Sequence, residues 1–298
     1  MAHSHENAEV SLPKLLFTIF LNLVITAAQI VGGILSGSLA LISDAIHNFS
    51  DSISVMLAYF AQVLSRKPST SKSTFGYKRA EILATFINAL SLIAISVYLV
   101  FEAVERFVNP QEVDAKLMFW LGLLGLVANG ISVLVLQREK HKNLNIKAAY
   151  LHLLGDALTS LAVVLGAILI WFYKIYWIDA VVTILISIYL FVHTLHLLKE
   201  SVTILMQMSP ADLDVDTINK RLLQIENVQN IHHIHLWNLT DKLIHFECHI
   251  NLQTDLKVSE TNKLFESVRI ILHDDFDVEH VTIQFEFVAE NKVGCECD

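Results

Sequence analysis

The stretch that decides the fold is LMFWLGLLGLVANGISVLVL, Leu117–Leu136, which contains no charged residue. As a helix rising 1.5 Å per residue it measures ~30 Å, the thickness of a bilayer's hydrocarbon core. Its apolar character extends to Ala115–Gln137, and five further apolar stretches flank it: Lys14–Leu35, Leu39–Leu64, Ala80–Val108, Ile146–Phe172 and Trp177–Lys199. Six such segments in succession are far more than a soluble helical bundle needs. The first is too long for a signal-peptide core and lacks a basic leader, so it is read as retained. The 298 residues are 54% apolar and 17% charged, against ~25% charged in soluble domains. That composition excludes disorder, and three cysteines are too few for a disulfide framework.

The expected organisation is a cytoplasmic tail (1–13), a membrane all-α six-helix bundle (14–207), a small α+β domain (208–290) and a Cys-containing tail (291–298). The net charge of −9 divides unevenly along it. Residues 1–207 hold 14 Lys+Arg and 13 Asp+Glu, whereas 208–298 hold 7 and 17. An acidic domain attracts cations and repels nucleic acid, so nucleic-acid binding is not expected. Basic residues concentrate between helices 2 and 3 (Arg66, Lys67, Lys72, Lys78, Arg79) and between helices 4 and 5 (Arg138, Lys140, Lys142, Lys147). By the positive-inside rule both termini then face the cytoplasm.

After Ser209–Pro210 the periodicity changes. Val215–Ile225 and Val258–Leu272 have helical spacing, while Val228–Trp237, Leu243–Leu252 and His280–Val288 alternate with period two. The order α-β-β-α-β, with Asp241–Lys242 in a hairpin turn, predicts a ferredoxin- or metallochaperone-like domain.

Chemistry concentrates in two motifs. Helix 2 carries His47-x-x-x-Asp51 and helix 5 carries His152-x-x-x-Asp156. A spacing of four puts imidazole and carboxylate on one helical face. An ionisable group at membrane depth costs about 2.5–3.5 kcal/mol on insertion scales, which marks it as functional. Two pairs on two helices supply two nitrogens and two oxygens, a donor set suited to tetrahedral Zn²⁺ and poorly suited to Mg²⁺ or Ca²⁺. The same groups could also relay protons.

With these motifs in place the chain resembles the cation diffusion facilitators. The resemblance spans nearly the whole length and includes Gly32-Gly33, Ser43-Asp44-Ala45, Phe75-Gly76-Tyr77-x-Arg79-x-Glu81, Leu236-Trp237 and Thr282-Ile283-Gln284. It implies a homodimeric transporter, not an enzyme, that exports divalent transition metal from the cytosol against protons by alternating access. The tail domains would bind further, regulatory metal. His47 in place of a carboxylate implies a zinc preference. The segment 66–77 lacks the Asp and His of a loop metal site found in some members, and the short loop 138–147 implies a bacterial protein of the inner membrane.

Strand parity places Ile231, His233, His235 and Trp237 on one face, and His245, Glu247 and His249 on one face of the second strand. On the third strand, His280, Thr282, Gln284 and Glu286 share a face. By resemblance His235, His249 and Glu286 match tail metal ligands, with His280, His233 or His273 near them. A solvated sheet face or a dimer interface is the alternative. His3, His5, Cys295 and Cys297 are metal-capable terminal residues. Asp44, one turn before His47, is expected to guide protons or ions or to make a structural hydrogen bond; Asn22 and Gln29 line the same cavity or join helices. His193 and His196 are expected at the membrane interface. The competing function is a membrane metal sensor, which does not require an intramembrane site.

Overall fold

The structure, a computed structural model, describes residues 12–65, 67–137 and 144–287. The terminal candidates His3, His5, Cys295 and Cys297 lie outside the described residues. Six long helices come first: α1 (Leu12–Ser36), α2 (Leu39–Ser65), α3 (Ala80–Val108), α4 (Ala115–Gln137), α5 (Leu144–Tyr173) and α6 (Trp177–Leu205). Among the described residues, α3 to α6 are each long and apolar enough to cross a membrane. In α2 the run Ser43–Asp51, with two carboxylates and an imidazole, lowers the apolar character of an equally long helix. Helix α6 runs six residues beyond the expected Lys199. The chain is a multi-pass membrane protein followed by an α+β domain.

Two compact units divide the chain: residues up to Tyr59 with Ile87–Leu197, and Phe60–Phe86 with everything from Leu198 onward. In the first, Leu41, Met118, Val163, Ile170 and Leu190 form a buried core, while Phe101, Leu134 and Phe172 point outward, as lipid-facing side chains do. Small residues set the helix spacing. A Cβ on Gly33 would come within 2.6 Å of Ile42 Cγ1 and 3.2 Å of the Ile42 backbone nitrogen, so α1 and α2 approach only because that position is glycine.

The turn between α1 and α2 is held from a third helix. Gly37 takes a φ of +73°, and the buried Asp179 of α6 reaches the start of α2. Its carboxylate accepts from Ser38 Oγ at 2.6 Å and from the backbone N–H groups of Leu39 at 2.8 Å and Ala40 at 3.3 Å. A carboxylate there satisfies orphan amides and complements the positive end of the helix dipole.

In the second unit α7 (Val215–Leu222) and α8 (Val258–Phe276) pack with β1 (Val228–Asn238), β2 (Ile244–Leu252) and β3 (His280–Glu286). The sheet order is β1-β2-β3, antiparallel then parallel. Asp214 caps α7 by accepting from Thr217 N at 3.0 Å. Ile218, Val268, Leu236, Phe246, Cys248 and Ile250 form the core. Burial, with Glu247 beside it, pushes the Cys248 thiol up to about 12, which makes it an inert packing residue.

One strand departs from simple alternation. His232 pairs with His249, but the next regular pair is His235 with Glu247, so β1 carries one extra residue there, as it also does between Val228 and Asn230. His233, at φ +53°, lies in this β-bulge. Upstream of it the faces are reversed from the expected parity: Ile231 pairs with Ile250 on the buried side, and His232 joins the polar face. The polar faces of β2 and β3 follow the expected parity.

Candidate metal transport site

The two His-x-x-x-Asp motifs meet in the first unit. His47 Nε2 lies 2.8 Å from Asp156 Oδ1 and 3.6 Å from Asp51 Oδ2. His152 Nε2 lies 3.5 Å from Asp51 Oδ2 and 3.8 Å from Asp156 Oδ2. Each imidazole thus has a carboxylate on either side, in the ring order His47–Asp51–His152–Asp156. The ligand atoms of His47, Asp51 and Asp156 lie within 4.8 Å of one another, and the rings of His47 and His152 stand 6.1 Å apart, edge to face.

Burial is graded across the site. Asp51 and His152 are partly exposed, at 31% and 36%, while His47 and Asp156 are at 2% and 5%. A cavity of about 460 Å³ reaches Asp51, His152 and Asp156, lined also by Asn22, Asn48 and Asn129. Asn22 donates to Ser52 Oγ at 2.8 Å, joining α1 to α2 at this cavity. Gln29 and Asp44 lie elsewhere, in a buried network described below.

Two side chains that spacing did not single out border the site. Tyr189 of α6 sits edge to face on His47, with centroids 6.3 Å apart. His193, one turn further, stacks on Tyr189 at 6.2 Å and on His152 at 5.9 Å. His193 therefore lies against the site and not at the expected interface. The only sequence signal for this wall is the i, i+4 spacing of Tyr189 and His193. Gly155 makes room for it, since a Cβ there would meet Tyr189 Oη.

In the second unit, a cluster forms on the polar sheet face. Glu286 lies 3.3 Å from His232 Nε2 and 2.9 Å from His249 Nδ1, and Gln284 donates to its Oε1 at 2.8 Å. The three residues His232, His249 and Glu286 offer ligand atoms within 4.8 Å of one another. The bulge brings in His232, which parity passed over. His233 abuts His249 with ring centroids 4.8 Å apart, and His235 abuts His233 at 4.7 Å, one step further out. His280 pairs with His245 at the opposite end of β3, about 20 Å along the strand from Glu286. His273 binds Asp274 on α8, which holds its imidazole above the usual histidine value.

Residues 15–206 match the cation efflux transmembrane domain, and residues 210–288 match the cytoplasmic domain of cation efflux proteins. The chain belongs to the cation efflux family. The cation efflux protein is 38% identical over 296 residues to a "Cadmium, cobalt and zinc/H(+)-K(+) antiporter" of Bacillus velezensis, covering 98% of this chain and 94% of that one. It is 35% identical over 295 residues to the "Zinc transporter ZitB" of Escherichia coli strain K12, covering 96% and 93%. It is 35% identical over 284 residues to the "Metal cation efflux system protein CzcD" of Cupriavidus metallidurans, covering 95% and 89%. This cation efflux protein is accordingly a metal-cation transporter and not an enzyme.

Proposed function

We propose that this protein exports zinc from the cytosol in exchange for protons, binding the ion through His47, Asp51, His152 and Asp156. The observation that carries this reading is the alternation of nitrogen and oxygen around the four residues. Zn²⁺ with bonds of ~2.0–2.2 Å holds tetrahedral ligands about 3.3–3.6 Å apart. Three of the four neighbouring separations are 3.5, 3.6 and 3.8 Å, and the fourth is a direct His47–Asp156 bond that the ion would replace. Four protein ligands leave no open position for a hydrolytic water, unlike a catalytic zinc site.

These ligands bind metal only when deprotonated, so acid on the release side displaces zinc and loads protons for return. Access to Asp51 and His152 through the cavity, with His47 and Asp156 buried, supports an alternating-access cycle. The names of the relatives, a zinc transporter and a cadmium, cobalt and zinc/H(+)-K(+) antiporter, point the same way.

Tail zinc acts as a resident ligand in this reading. The donor set of His232, His249 and Glu286 fits it, and His232 Nδ1 is buried without a partner. The protein works as a homodimer, which the cytoplasmic-domain family supports. Its termini face the cytosol and its address is the bacterial inner membrane, a reading supported by the basic loops and the short 138–147 segment. The test is zinc uptake into inverted membrane vesicles. Asp51→Ala and Asp156→Ala should each abolish pH-driven flux, and unchanged flux in both would overturn the site.

A further inference from the structure

Asp44 is the one carboxylate on the inner face of α2 that the zinc site does not use. It is fully buried, at 0% exposure. Its oxygens accept from Thr159 Oγ1 at 2.9 Å, Ser160 Oγ at 3.0 and 3.2 Å, and Gln29 Nε2 at 3.4 Å. All these partners are neutral. The titratable groups near it are His47 on its own helix and Asp156 on α5. Helix α1 contributes Gln29, which is not ionisable.

A carboxylate sealed among neutral groups must either hold its charge on donated hydrogen bonds or take up a cation. Gln29 can serve both states. Its amide nitrogen donates to Asp44, while its Oε1 is buried with no partner. Rotating the amide, at the loss of its 3.4 Å bond to the Leu121 carbonyl, presents that oxygen as the acceptor that a protonated Asp44 requires. Gly125 makes room for the amide, since a Cβ there would lie 2.4 Å from Gln29 Nε2. Thr159 links the network to the zinc site, because its hydroxyl also reaches the Asp156 carbonyl at 2.9 Å.

We infer that Asp44, with Gln29, Thr159 and Ser160, is a proton-carrying station additional to the zinc ligands, so that one returning proton has a binding group outside the metal site. The step is a simple transfer. The Asp44 carboxylate takes one proton from water on the release side, becoming a neutral acid, and gives it back to water on the cytosolic side. The inference rests on the zinc–proton exchange reading above.

The test separates coupling from transport. In proteoliposomes, Asp44→Asn keeps the shape of the side chain but cannot titrate. Two fluxes are compared: isotopic zinc-for-zinc exchange at equal pH on both sides, which needs no proton return, and net zinc flux driven by a pH gradient. The expected result is exchange within about threefold of wild type and pH-driven flux reduced at least about tenfold, with a shallower pH dependence set by the zinc ligands alone. Parallel loss of both fluxes would make Asp44 merely structural and overturn the inference, as would unchanged pH-driven flux. A wild-type protein without pH-driven zinc flux would remove the exchange reading together with this one, and is recognisable because it appears before any substitution is made.

Discussion

His47 Nε2 and Asp156 Oδ1 stand 2.8 Å apart, a single contact that joins α2 to α5 across 109 positions of sequence. A carboxylate at position 47 would therefore place two negative groups in direct contact. His47→Asp would turn a set of two nitrogens and two oxygens into one nitrogen and three oxygens, favouring a larger cation with a looser oxygen shell. The expected outcome is a rise in the ratio of cadmium to zinc flux, read from competition assays in vesicles. An unchanged ratio would remove position 47 as the selectivity element.

The bulge at His233 separates two otherwise similar histidines. His232→Ala removes a group 3.3 Å from Glu286 and should weaken tail zinc binding by more than about 10–100-fold, the scale seen when residues that merely support metal ligands are lost. His235→Ala, whose residue pairs with Glu247 and lies beyond His233, should leave that affinity nearly unchanged. Zinc titration of the full chain in an Asp156→Ala background isolates the tail site. Equal effects of the two substitutions would contradict the register.

His245 sets a pH response in the tail. It is buried between Trp237 and Phe75, whose rings lie 5.4 and 5.7 Å away. Burial, then His280, Lys78 and Arg79, holds its imidazole below the usual histidine value. Because the folded state disfavours the charged form, stability is full above pH ~6.5 and falls as pH drops toward the lowered value. Thermal unfolding followed by tryptophan fluorescence, with a chelator present, should show a loss between pH 7 and pH 5.5. His245→Phe should reduce that loss; an unaltered slope would count against the assignment.

Gly33→Ala drives a methyl group of α1 against Ile42 of α2, including its backbone nitrogen. Overpacking of this kind costs about 1–3 kcal/mol. A lower unfolding temperature in detergent is expected, with the zinc-to-cadmium ratio unchanged. A shifted ratio would mean that helix spacing, and not ligand chemistry alone, sets selectivity.

Much of this arrangement was legible before any coordinates. Helices α3 and α4 begin and end where the apolar runs do, because membrane helices must satisfy their own backbone and so follow hydrophobicity closely. The meeting of His47 and Asp51 with His152 and Asp156 also followed from two equal spacings. What escaped was set by single residues acting at a distance. One bulge added His232 to the polar face, and no alternation rule counts an extra residue. The Tyr189–His193 wall stayed hidden because it depends on how α6 rotates about its axis, and that rotation is decided by partners such as Gly155.

Asp179 has a mechanical consequence. It fastens the beginning of α2 to α6, so a tilt of α2 about that end would displace its other end most. A helix of 27 residues is ~40 Å long, and a tilt of about 5° moves its free end by about 3.5 Å. At His47 and Asp51, some ~13–18 Å from the pivot, the same tilt is about 1–1.5 Å. Such a displacement is a large fraction of a ~2 Å metal–ligand bond. A pinned helix of this length thus converts a small rotation at one membrane face into the difference between holding an ion and letting it go.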